Sequence, residues 1–200
     1  MQLLKSIALF ALLSVSSLGG PIPVPRGSYP VEIAKLEARA DPPAGYDTVT
    51  IGETRRGLSG STLFTNGLTT CIGIVVRDAV PGPSKQFDKI LAHISPTLCQ
   101  TQENPSIDQQ LKNIWLLYDS QPFSQPQAIV AYPPVNGNAA QEAFNNYVID
   151  EMGKYASPRG CSVTPKERDQ THVNEAGGSR MWIDGSDQKI YWSTFDQPLA

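Results

Sequence analysis

From Tyr46 onward the chain is a succession of short apolar runs separated by polar or Gly/Pro-rich stretches. "YDTVTIGE" (46–53) and "GSTLFT" (60–65) predict short strands. "CIGIVVRD" (71–78) predicts a stronger one, because Ile72, Ile74, Val75 and Val76 crowd β-branched side chains into it. The loop "VPGPSKQ" leads to "FDKILAHIS", which ends at Pro96, and the two runs read as adjacent strands. The period then changes. In "NPSIDQQLKNIWLLYDS" Asn104 is the expected cap, Pro105 suits the first helical position, and Ile107, Leu111, Ile114 and Tyr118 recur at helical spacing. "QAIVAYP" predicts a buried strand. "NAAQEAFNNYVIDEMGKYA" predicts a second helix with Asn138 as cap and Phe144, Tyr147, Val148, Met152 and Tyr155 on its apolar side. "CSVTPKERD" alternates but carries Pro165, which restricts it to an edge or irregular strand. "GGSRMWIDGSDQKIYWSTF" predicts a closing hairpin turning through "DGSDQ". The order implies an α/β fold, a layered sandwich of mixed β-sheet with at least two packed helices.

The first twenty residues, "MQLLKSIALFALLSVSSLGG", change the picture of where this fold works. One Lys, an apolar stretch and a small-residue end form the pattern of a secretory signal peptide, assigned to residues 1–19. Residues 20–45 are rich in Pro, Ala and charge without sustained periodicity and read as linker or pro-segment, leaving 46–200 as one domain. No other segment approaches the roughly 18 apolar residues of a membrane span, so a secreted, extracellular protein is expected. Arg55 and Arg56 form a dibasic pair, expected to stay uncut because of the strand-like run before it. The formal charge of -3, with no basic stripe, argues against a nucleic-acid partner.

Three cysteines remain, Cys71, Cys99 and Cys161. In an oxidising compartment an odd number implies an intermolecular bridge or one thiol kept free, and a Cys99–Cys161 bridge with Cys71 reduced is the expected arrangement. With two histidines in the chain and no CxxC pair, no metal site and no cofactor are expected. A cysteine nucleophile needs a partner to manage its proton. His93 lies on the strand after the one that Cys71 opens, whereas His172 sits in the polar stretch "DQTHVNEAGG". The alternative, a buried structural cysteine beside a structural histidine, stays open. A papain-like or transglutaminase arrangement is disfavoured, since it wants the cysteine at a helix start.

"TNGLTTCIGIVVRD" followed by "ILAHISP" resembles the core of the CheD chemoreceptor glutamine deamidases, whose site is a Thr, a Cys six positions later and a His on the next strand. Thr65 and Cys71 keep the interval. Cys71 and His93 are 22 positions apart, longer than the family usually shows, and the inserted "VPGPSK" accounts for the difference. The resemblance runs over roughly residues 58–193 through the later helices, strand and closing hairpin. It extends to glutamine-deamidating toxins such as the cytotoxic necrotizing factors, where Leu-x-Gly precedes the cysteine; here Thr70 replaces that glycine. It implies a CheD-like fold and a protein or peptide substrate with an exposed glutamine. Cys71 would attack the carboxamide to give a thioester, imidazolium at His93 would favour the thiolate, and Thr65 would orient the ring or hydrogen-bond the substrate. Backbone N–H groups of Gly67, Thr70 and Cys71 would hold the oxyanion. The competing reading is a secreted binding or effector protein that keeps the fold without catalysis.

Overall fold

A computed structural model describes residues 45–79, 86–96, 106–168, 179–186 and 188–192. The expected signal and linker, Cys99, Asn104 and His172 lie outside the described residues. Among the described residues nine strands form two sheets. β1 (Tyr46–Thr48), β3 (Thr62–Thr65), β8 (Met181–Ile183) and β9 (Ile190–Trp192) make the smaller one in the order β1-β3-β8-β9. β2 (Thr54–Leu58), β4 (Ile72–Asp78), β5 (Phe87–Ile94), β6 (Pro126–Tyr132) and β7 (Ser162–Glu167) make the larger one, ordered β2-β5-β4-β6-β7. Both mix parallel and antiparallel pairs, as β1·β3 and β6·β7 are parallel.

The continuous apolar run of β4 follows from its position. It lies between β5 and β6 with both faces covered, so neither face can be polar. Ile72, Ile74 and Val76 join Ile90, Ala92 and Val130 in one core, while Cys71 and Val75 join Leu91, Ile129 and Ala131 in another on the opposite face. The helices α1 (Ile107–Ser120) and α2 (Ala139–Ala156) fill the first core with Leu111, Ile114, Trp115, Phe144, Val148 and Met152. The small sheet closes the second with Leu63, Met181, Ile183, Ile190 and Trp192. The result is a three-layer α/β sandwich: helices, large sheet, small sheet.

In α1 the expected stripe faces inward, with Ile107 partly buried, Leu111, Ile114 and Tyr118 buried, and Lys112 exposed. Its cap is Ser106 rather than Asn104: the Ser106 hydroxyl accepts the Gln109 N–H at 3.3 Å, so the helix starts at Ile107. Asn138 caps α2 as expected, accepting from Ala140 N at 3.1 Å and Gln141 N at 3.2 Å. Pro165 lies in β7, the edge strand, and β8 and β9 pair antiparallel as the closing hairpin.

Only the first three residues of "YDTVTIGE" form a strand. The chain then turns through Gly52 at φ 75, with the Glu53 carboxylate accepting the Thr50 N–H at 2.9 Å. The next strand, β2, is "TRRGL", which contains the dibasic pair and pairs with β5. Its charge hid it in the sequence; the Arg56 guanidinium lies over the Phe87 ring at 4.9 Å, so the charged group itself covers an aromatic face. No helix among the described residues is long and apolar enough to cross a membrane.

Candidate active site

The register of β4 against β5 decides which residues share a face. Gly73 lies opposite His93 and Ile72 opposite Ile94. Cys71, two residues before Gly73, therefore shares the His93 face, the one turned toward the small sheet. Thr65 ends β3 in that sheet, opposite Met181. Across the layers, Thr65 Oγ1 and His93 Nδ1 are 2.8 Å apart in a buried hydrogen bond. Thr65 and Cys71, joined by a short turn, and His93 on β5 thus come to one end of one interlayer core. Gly73 is what permits the close approach of the sheets there: a Cβ on it would collide with Met181 Sδ and press Leu68 Cδ1 at 3.2 Å.

The turn between Thr65 and Cys71 is held at several points. Gly67 takes a φ of 73, and the next N–H, of Leu68, donates to the Ser179 carbonyl at 3.1 Å. The Thr70 carbonyl accepts from Gln141 Nε2 of α2 at 3.2 Å. Gln141 Nε2 also donates to Asn145 Oδ1 at 2.9 Å, and Asn145 Nδ2 to the Pro133 carbonyl at 2.8 Å. Carbonyls of Thr69 and Cys71 accept from Arg168 Nη2, at 3.5 and 2.7 Å. Three consecutive carbonyls are thereby pinned by side chains, which fixes the peptide planes of the segment expected to hold an oxyanion.

Arg168 is the residue that the sequence reading missed. It follows β7, donates its backbone N–H to Tyr132 O at 2.9 Å, and packs its guanidinium over the Trp192 ring at 4.7 Å. It is 4% exposed, and among the described residues Nε and Nη1 have no hydrogen-bond partner. Burial pushes its pKa down to about 9 while the neighbouring Cys71 pushes it up, so it remains a cation at neutral pH. In "PKERD" it looks like one member of a solvated charge run, and nothing local marks it as buried.

The electrostatics of His93 differ from expectation. Burial, and then the Arg168 charge, bring its pKa down to about 3, so the ring is neutral at neutral pH. The expected resting imidazolium is therefore not the form present, and the cation beside Cys71 is Arg168. His93 Nε2 is buried and has no hydrogen-bond partner among the described residues. Thr65 and His93 are 0% exposed and Cys71 is 1%, so a substrate amide reaches this site only if a covering element moves.

Among the described residues no three His, Cys, Asp or Glu side chains stand together as a metal site. Cys161 is a buried free thiol whose pKa burial pushes up to about 11. The register puts it level with Pro126, at the other end of the large sheet from Ile94. The separation is about 20 Å along the strands. No family model matches the chain, and no curated protein matches it at a significant level.

Proposed function

We propose that the protein is a secreted cysteine-dependent amide hydrolase of the glutamine deamidase type, acting on a protein or peptide side chain. The observation that carries this reading is the buried Thr65 Oγ1 to His93 Nδ1 hydrogen bond of 2.8 Å, which orients an otherwise unpartnered imidazole on the strand beside the one Cys71 leads into. An oriented base on the face of a cysteine is the arrangement that thiol catalysis needs. In this role His93 Nδ1–H donates to Thr65 Oγ1, and Nε2 presents its lone pair.

The chemistry balances on these groups. As the Cys71 sulfur bonds to the carboxamide carbon, its proton passes to His93 Nε2. The carbon–nitrogen bond breaks, the nitrogen takes that proton, and ammonia leaves a thioester. Water then gives one proton to His93 and adds to the carbonyl, that proton returns to sulfur as the carbon–sulfur bond breaks, and the glutamic acid released gives its remaining proton to ammonia or solvent. Because burial and the Arg168 charge keep His93 neutral before the reaction, its Nε2 lone pair is open to the thiol proton, and the same low basicity makes the imidazolium a strong acid toward the leaving nitrogen.

The burial of Thr65, Cys71 and His93 favours a second reading, in which the same trio is a structural part of the core of a secreted binding or effector protein. Mixed glutamine-containing proteins incubated with the purified protein separate the two. Deamidation adds about one dalton per converted amide, and the conversion is expected to vanish in Cys71→Ser. Identical peptide masses with and without the wild-type protein would leave the non-catalytic reading standing.

A further inference from the structure

We propose that Arg168 is the counter-charge of this site: its buried guanidinium, anchored by Nη2 on the Cys71 and Thr69 carbonyls, compensates negative charge on the Cys71 sulfur. The inference rests on Cys71 being the nucleophile of the reading above. Three observations converge on it. First, a guanidinium that is 4% exposed is costly unless an anion or acceptors satisfy it, and Nε and Nη1 have no hydrogen-bond partner among the described residues. Second, the anchoring bonds run to the backbone of Cys71 itself, at 2.7 Å, and the Trp192 face fixes the guanidinium plane from the other side at 4.7 Å. The cation cannot swing to solvent as a surface Arg would. Third, the other candidate partner is neutral, because the buried His93 ring holds no proton to spare at neutral pH.

Among the described residues, His93 on β5 is placed on the Cys71 face by register and Arg168 after β7 by its hydrogen bond to the Cys71 carbonyl. The same elements also carry Asp88 and Lys89 on β5, which pair with each other at 2.8 Å, Arg77 and Asp78 at the far end of β4, Lys166 and Glu167 on β7, Arg180 beside Met181 of β8, and the exposed Glu142 on α2. At the site itself α2 contributes Gln141, which is uncharged. Leu68, Met181 and Trp192 complete an apolar wall. In such surroundings an opposite charge at short range acts with little screening and moves a thiol by tenfold or more in its ionisation constant. The thiolate of Cys71 is then favoured by a permanent cation rather than by a histidine that must first be protonated. Proton handling and charge compensation fall to two different residues.

The test is a thiolate titration that needs no substrate. Ultraviolet absorbance of the thiolate is followed against pH in wild type, Arg168→Gln and Arg168→Lys, with Cys71→Ser subtracting the other two cysteines. Arg168→Gln keeps a donor for the Cys71 carbonyl but removes the charge, and Arg168→Lys keeps the charge. The expected result is a thiolate fraction at neutral pH at least about tenfold lower in Arg168→Gln, with Arg168→Lys restoring much of it. Thermal melts identify a variant that has merely unfolded, and in that event the comparison of Arg168→Lys with wild type carries the test: a Cys71 midpoint like that of a free thiol in both would overturn the proposal. Unchanged titration in folded Arg168→Gln would overturn it too, and amide hydrolysis persisting there would leave the deamidase reading intact. A shifted titration without any glutamine conversion would instead sustain the counter-charge and remove the reaction.

Discussion

Replacing His93 by Gln should flatten the dependence of stability on pH. In the unfolded chain a histidine takes up a proton near pH 6.5, about its unperturbed value. In the fold, burial and the Arg168 charge hold His93 at about 3. Between these values the unfolded state binds a proton that the folded state does not, so stability falls as pH falls. The contribution is complete above about pH 6.5, shrinks by about 1.4 kcal/mol for each further pH unit, and is exhausted near the folded value. From neutral pH down to about pH 5, before most carboxylates titrate, the loss is about 2 kcal/mol. His93→Gln keeps a neutral hydrogen-bonding side chain and loses this proton. It is expected to be less stable than wild type at neutral pH, because the contact of His93 with Thr65 is altered, yet to close the gap by about 2 kcal/mol at about pH 5. Urea unfolding at the two pH values, with slopes compared to check that the unfolding reaction is the same, reads this directly. Parallel pH profiles for wild type and His93→Gln would mean that His93 titrates normally in the fold, and the buried neutral ring would have to be given up.

Three further expectations are open to measurement. Asn138→Ala removes the side chain that caps α2 on two N–H groups and should cost about 1 kcal/mol in the same unfolding assay; no change would mean the cap contributes nothing net. Gly73→Ala places a methyl against Met181 Sδ and should destabilise by about 1–3 kcal/mol, whereas an unaffected melting temperature would show that the two sheets are not in close contact there. Cys161, a buried free thiol, should be alkylated without reductant only once the protein is unfolded; a disulfide-linked peptide containing it would contradict the arrangement of the sheet edge described here.

Much of the architecture is legible in the sequence because periodicity reports burial. The unbroken apolar run of "CIGIVV" marks a strand covered on both faces, and the spacing of Leu111, Ile114 and Tyr118 marks the helix stripe that covers one of them. What periodicity does not report is partnership at long range. β2 was hidden because Arg55 and Arg56 read as solvent-facing charge, although Arg56 packs along Phe87. The packing of the small sheet on the large one brings Gly73 and Met181 together across the interface, a contact between residues more than a hundred positions apart. The site shows the same limit. Thr65, Cys71 and His93 could be picked out by residue type and strand order, but the charge state of His93 could not, since it depends on complete burial and on an Arg delivered by the end of β7. The single Arg168 carries no local mark of the role that its position gives it.

The central claim is that Cys71 forms a bond to a glutamine side chain with His93 as its base. The most direct measurement is an acid-quenched reaction of the protein with a glutamine peptide, followed by digestion and mass mapping of the Cys71 peptide. The account predicts a thioester on that peptide, equal to the substrate less ammonia, that is absent in Cys71→Ser and strongly reduced in His93→Gln. Conversion of glutamine that proceeds equally well in Cys71→Ser, or an unmodified Cys71 peptide from wild type while ammonia is being released, would contradict it.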